Sequence, residues 1–409
     1  MIPVYYDETS DVWKKADVNN NNSNYQWYSY ESSGDKKGMW ANAVTVKDTN
    51  RQTYLNATPG TIIPMDDINT MWVWIPRFKV NTTDFTLIRG KDSGYCFESG
   101  EGKTTNTKEE CEKLGPGIWW VSHYKNPGAI DITFVKENEK AIDSFTFGTK
   151  ELSGFWFAKF ATSHSTLSSS TTDNNLGCIN ETCSNANGII IKPNVRSLQY
   201  NDISNFFFAS RSMEQAGNSF GFVSSEVDTH MSKNNEWGAV AYLTQSIYGR
   251  CTTSTTCTEV GINNNSEFRT GIGATAGSYS SSSAINTYDT VLGMGASTTG
   301  NIYGIYDMNG GSYEYVMGNY NTTKGNTTFT TFPDSKYYNL YTGTSYTGHA
   351  LTETSVWYND NFLFVTSSIP WLMRGGLYDG TSASGVFATS RSAGSGNTYY
   401  TTRMVITNE

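Results

Sequence analysis

Gly304-Ile305-Tyr306-Asp307-Met308-Asn309-Gly310-Gly311-Ser312-Tyr313-Glu314-Tyr315-Val316 is the stretch on which the reading of the chain turns. Asp307 followed by Asn309-Gly310-Gly311 is turn chemistry, because Gly reaches φ > 0 freely and Asn and Asp tolerate it. Tyr306 before the turn and Tyr313 and Tyr315 after it supply aromatic anchors. Glu314 sits between the last two. Downstream, Leu372-Met373-Arg374-Gly375-Gly376 and Thr402-Arg403-Met404-Val405 each hold one arginine in an apolar setting. Arg374 and Arg403 read as buried partners for carboxylates, with Glu236 and Glu314 the candidates. Such pairs organise a loop-rich core through bidentate hydrogen bonds.

Working outward, the whole 409-residue chain is poor in charge (16%) and rich in aromatics (14%), with 26 Tyr, 20 Phe and 11 Trp. Disordered chains show the opposite balance. Helical bundles use Ala, Glu, Lys, Leu and Arg, which are not dominant here. Tyr mixed with Ser, Gly and Asn is what recognition loops favour, since Tyr gives contact area at low entropic cost. The net charge is −9 and no basic run occurs, which excludes the electrostatic footprint of a nucleic-acid binder. Apolar stretches such as 71–76 and 205–209 are far shorter than the roughly 20 residues of a membrane span. The N-terminus has neither the basic nor the apolar region of a signal peptide, which points to another export route or to a trimmed chain.

The six cysteines fall into near neighbours, Cys96/Cys111, Cys178/Cys183 and Cys251/Cys257, each in a polar loop-like stretch. Local disulfides in an oxidising place are the leading expectation. Reduced loop thiols are the second reading. Zinc is the third: no CxxC occurs, and His123, His164, His230 and His349 lack ligand spacing.

Residues 1–60 read as a β-rich N-terminal extension, with aromatic and β-branched pieces at 4–6, 25–30 and 39–46 between Asn/Ser/Gly turns. Residues 61–409 form the main domain, with an insertion over about 91–150. A helix is expected over 202–214, where Ile203, Phe206 and Phe207 share a face. A second begins at Ser232 as N-cap and runs through Glu236 to Ser246, with Gly249 as stop. The fold class is α+β: two main helices, short antiparallel strands and long loops. Gly217-Asn218-Ser219-Phe220-Gly221 matches a nucleophile pattern but follows a helix, so chance explains it. The aspartates at 66, 67 and 360 read as capping or solvated groups.

Four segments in order resemble the formylglycine-generating-enzyme type of the C-type-lectin-like fold, over roughly 62–409. They are Gly154–Ser163, the Met231–Ala241 helix with Glu236-Trp237, the 304–316 stretch, and Leu372-Met373-Arg374-Gly375-Gly376. The third matches a Gly-Leu-Tyr-Asp-Met-x-Gly-Asn-x-Trp-Glu-Trp signature, with Gly311 for Asn and Tyr for both Trp. The resemblance makes Glu236, Trp237, Arg374 and Arg403 structural. It implies calcium coordination by Asn309, Gly310, Ser312 and Glu314; the competing reading pairs Glu314 with an arginine, and no cofactor is required. The family's oxidising members use two cysteines between Arg-Gly-Gly and the last arginine. The interval 377–402 holds neither Cys nor His, so the expectation is a protein that is not an enzyme.

That same interval resembles the variable face of retroelement-diversified proteins of phages and bacteria, which use this fold. Anchors at Arg374, Phe387 and Arg403 flank polar and tyrosine positions. Tyr378, Asp379, Ser384, Asn397, Tyr399 and Tyr400 are the expected contacts with a protein or glycan receptor. The place implied is extracellular, on a cell or on a virion. A structural subunit of a pilus or fibre, or a phage tail adhesin component, is the alternative, and an exposed strand edge within 1–60 would favour it.

Overall fold

A two-residue alternation builds the central sheet. Along Ile68–Pro76 and Gly154–Ala158, Val73, Ile75, Phe155 and Phe157 join one buried cluster, while Trp72 and Ala158 join another. Successive side chains of a strand face opposite ways, so this pattern fixes both register and burial. The computed structural model describes residues 1–21, 24–98, 101, 102, 105, 107–168, 176–179, 182–264, 270–273, 286–343 and 346–408.

Two sheets dominate. Their strands are β1 (Ile2–Asp7), β2 (Val12–Lys15), β3 (Asn42–Val46), β4 (Ile68–Pro76), β5 (Gly154–Ala158), β6 (Val227–Met231), β7 (Tyr313–Tyr320), β8 (Asn339–Tyr341), β9 (Trp371–Gly375), β10 (Gly385–Ser392), β11 (Tyr400–Thr402) and β12 (Met404–Asn408). The first sheet is seven-stranded in the order β6-β12-β5-β4-β3-β1-β2, antiparallel throughout. The second is built on β7, which pairs parallel with β8 and β11 and antiparallel with β9, and β9 carries β10. The chain is thus α+β, sheet-rich with few helices.

Residues 1–60 contribute three strands of the central sheet. The outer edge of β2 is taken by the chain's own 60–63 segment, through Lys15 N to Thr61 O at 2.8 Å and Ile63 N to Trp13 O at 2.9 Å. Within 25–30, where a strand was expected, only Ser29 bridges to Met39. A helix not expected there, α1 (Asp48–Asn56), lies in the same region with no buried residue. Its C-terminal carbonyls are held by one distant cation: Lys15 Nζ donates to Tyr54 O, Leu55 O and Ala57 O at 3.0, 2.6 and 2.8 Å.

Within 91–150, Tyr95–Glu98, Glu101–Gly102 and Ile118–Val121 form a small sheet beside α2 (Lys108–Glu112), stapled by Cys96–Cys111. Cys178–Cys183 and Cys251–Cys257 are likewise bonded, so all three local pairs are disulfides. Helix α3 (Ile203–Ser212) starts at Asp202, whose carboxylate accepts from Asn205 N at 2.8 Å. Helix α4 (Asn234–Thr244) is buried along its whole length. Its N-cap is Lys233 rather than Ser232: Lys233 N donates to Glu236 Oε2 at 2.7 Å, closing the first turn. Among the described residues no helix is long and apolar enough to cross a membrane.

Candidate functional site

The 304–316 stretch enters β7 through a turn with three positive φ values, Asp307 at 63°, Gly310 at 82° and Gly311 at 70°. The turn is fixed from both sides. Gly310 N donates to Gly375 O at 3.0 Å, and Gly311 N to Asn263 O at 2.8 Å. Beneath it, buried Arg403 donates from Nε and Nη2 to Glu314 Oε2 and Oε1 at 2.9 and 2.6 Å. Nη1 also donates to Ala158 O on β5 and Nη2 to Tyr306 O, both at 2.9 Å. Burial pushes the Glu314 carboxyl up, and the Arg403 charge pulls it back.

Above this base lies a half-exposed face drawn from four segments. Tyr378 N donates to Gly311 O at 2.9 Å, placing 378 and 379 next to the turn. Asp379 is exposed, and Tyr378, Asn397, Tyr399 and Tyr400 are partly so. The Tyr400 ring stands edge-on to Tyr315 at 5.3 Å and to Tyr313 at 6.4 Å. Burial pushes the Tyr313 hydroxyl up, a hydrogen bond with Ser390 pulls it back, and the charges of Tyr400 and Asp379 add to the rise. Asn397 Oδ1 accepts from Tyr399 N at 3.3 Å.

Two members of this face were not singled out from the sequence as contacts. Tyr313 was read only as scaffold. Tyr200 is 51% exposed, has φ of 63°, and donates from its N to Asn397 O at 3.1 Å. A Cβ on Gly396 would stand 2.2 Å from Tyr200 O, so the close approach of the two loops requires glycine there. No linear signal connects residue 200 to residue 397. Ser384, expected among the contacts, is instead buried. Its hydroxyl donates to Leu377 O at 2.7 Å and accepts from Leu377 N at 2.9 Å, closing the 377–384 loop on itself.

Of the four residues to which the resemblance assigned calcium, Asn309 keeps its buried Oδ1 without a hydrogen-bond partner among the described residues. Both Glu314 oxygens are taken by Arg403. Asn309 Nδ2 donates to Val260 O at 2.6 Å, and Ser312 Oγ lies between Gln199 Nε2 and Gly273 O at 3.0 and 3.1 Å. Arg374 is bonded to carbonyls rather than to Glu236 or Glu314: Phe387 O at 3.3 Å and His349 O at 3.1 Å. Asp360, read as capping or solvated, is buried, with Oδ2 accepting from Phe387 N at 2.9 Å. Glu236 faces His230 Nε2 at 3.1 Å, and Trp237 Nε1 donates to Val386 O at 2.9 Å, tying α4 to β10.

No protein-family model and no curated protein matches this chain. Among solved structures it is similar to Treponema denticola variable protein 1, at 10% identity over 66% of this chain and 97% of that one, with a TM-score of 0.29. It is also similar to a Major Tropism Determinant U1 variant, at 12% identity over 90% of this chain and 72% of that one, with a TM-score of 0.26. Scores this low carry no functional argument.

Proposed function

We propose that this chain is a non-catalytic binding protein of a cell or virion surface, built on a C-type-lectin-like scaffold of the formylglycine-generating-enzyme type. Tyr378, Asp379, Asn397, Tyr399 and Tyr400, joined by Tyr200 and Tyr313, meet a protein or glycan receptor. The observation that carries this reading is convergence: residues from 200, 313, 378–379 and 397–400 form one tyrosine-rich face over a rigid base. The Arg403–Glu314 pair and two sheets fix the backbone, while the exposed side chains are free to vary without unfolding it. The disulfides fit an oxidising compartment. The fibre-subunit alternative draws no support from β2, whose outer edge the chain covers itself. The test is binding of labelled protein to arrayed surface proteins and glycans. Asp379→Ala with Tyr399→Ala abolishes the strongest signal while the melting temperature holds; an undiminished signal overturns the assignment.

A further inference from the structure

The central sheet carries a second recognition feature that the receptor reading leaves unused. Trp74 on β4 and Trp156 on β5 are cross-strand partners, with ring centroids 5.2 Å apart at 60°. Trp27 stacks on Trp156 at 6.2 Å and 26°, and Tyr28 and Tyr30 continue the aromatic surface. With Asn408 they line a cleft of about 450 Å³. It lies by Asn408, at the far end of the last two strands from Tyr400.

Two of the rings are already anchored. Trp27 Nε1 donates to Asn42 O at 2.8 Å and Tyr30 Oη to Trp74 O at 2.7 Å. Trp27 and Tyr30 are therefore held before any ligand arrives, which lowers the side-chain entropy cost of binding. None of the lining residues is Lys, Arg, His, Asp or Glu, on a chain of net charge −9. Lys150 donates from Nζ to Asn408 O at 3.1 Å but is not among the residues that form the walls, so the walls themselves offer an anionic ligand no cation to pair with. The volume lies within the roughly 300–1,000 Å³ of small-ligand sites, whereas a stable protein partner needs about 800 Å² from each side. Flat aromatic walls, a phenol at Tyr28 and an amide at Asn408 suit a ligand with apolar C–H faces and uncharged hydroxyls.

We infer that this cleft binds a neutral sugar, independently of the C-terminal face. Tryptophan fluorescence of the full chain, titrated with short neutral oligosaccharides of glucose, galactose, mannose and N-acetylglucosamine, tests it. At least one of them gives a saturable change. Trp27→Ala and Tyr28→Ala each weaken that binding about tenfold or more, with unchanged melting curves, and Tyr399→Ala leaves it intact. Tyr28 is 39% exposed, so its variant keeps the test open if Trp27→Ala unfolds. The inference is overturned if no sugar titrates, or if both cleft variants bind as the parent does. Self-association lost in Tyr28→Ala overturns it too, since a second copy would then occupy the cleft.

Discussion

Arg403 is the single residue between β11 of the second sheet and β12 of the first, and both its Nε and Nη2 are spent on Glu314. The pair therefore locks the point where the chain crosses between sheets, directly beneath the tyrosine face. Both side chains are buried, at 0% and 1% exposure, so removing either leaves the other charge without compensation.

Arg403→Met is expected to cost about 3–5 kcal/mol, as breaking one side of a buried pair does. The double variant Arg403→Met/Glu314→Met recovers part of that loss, because no orphan carboxylate remains. Urea denaturation of Arg403→Met, Glu314→Met and the double variant measures both quantities. Additive losses would contradict the pairing.

Tyr399 and Tyr400 separate by role. Tyr400 packs on Tyr313 and Tyr315, so Tyr400→Ala lowers stability by about 2 kcal/mol. Tyr399→Ala stays within about 0.5 kcal/mol of the parent, as surface changes usually do. Thermal melts of the two single variants check this. Equal losses would show that both rings are packing residues.

The buried Asp228–His230–Glu236 row predicts a pH dependence. His230 Nδ1 lies 2.9 Å from Asp228 and Nε2 3.1 Å from Glu236, with Arg211, Lys233 and Lys336 bridging to the same carboxylates. Burial opposes the imidazolium charge, yet Glu236 and Asp228 hold His230 above its ordinary 6.5. Burial also opposes the Asp228 charge, but His230 and Arg211 hold that carboxyl down at about 2. A raised histidine stabilises fully below 6.5, and the contribution is lost as pH rises through its folded value. The lowered carboxyls stabilise above their ordinary 3.8 and 4.5, and this is lost on acidification. The contribution of this row to stability should therefore be greatest between about pH 4.5 and 6.5 and fall on both sides, read as the difference in melting temperature between the parent and His230→Gln across pH. His230→Gln flattens the alkaline limb; an unchanged limb would count against the charged histidine.

The disulfides close loops of 15, 5 and 6 residues. Chain entropy gives about 3 kcal/mol for the longest and about 2 kcal/mol for each of the others, as upper values. Cys178→Ser/Cys183→Ser should thus leave a folded protein with a modestly lower midpoint. Thiol titration of the native parent should find no reactive sulfhydryl. A free thiol in the folded chain would contradict the pairing.

Much of the fold was legible where chemistry is local. The Asp307–Gly311 turn, the apolar face of α3 and the neighbouring cysteines each announce themselves within a few residues. What was hidden depends on distance. Helix α1 has no apolar stripe, and its carbonyls are capped by Lys15, some forty positions away. The aromatic run at 25–30 has strand propensity, yet its rings line a cleft because β4 and β5 offer Trp74 and Trp156 to pack on. At the candidate face, Tyr378 and Asp379 could be picked from a polar, tyrosine-rich stretch. Tyr200 could not, because only the folded chain brings it to Asn397. Ser384 was over-read for the same reason: nothing in its neighbours reveals that Leu377 consumes its hydroxyl.

The face around Tyr378, Asp379 and Tyr399 is the one proposed to meet a receptor. The direct measurement is an equilibrium affinity for the best target from the surface protein and glycan array, taken for the parent, for Asp379→Ala/Tyr399→Ala, and for Tyr28→Ala. A loss of about a hundredfold or more is expected for the first variant and parental affinity for the second. Parental affinity in Asp379→Ala/Tyr399→Ala, with its melting curve unchanged, would contradict it.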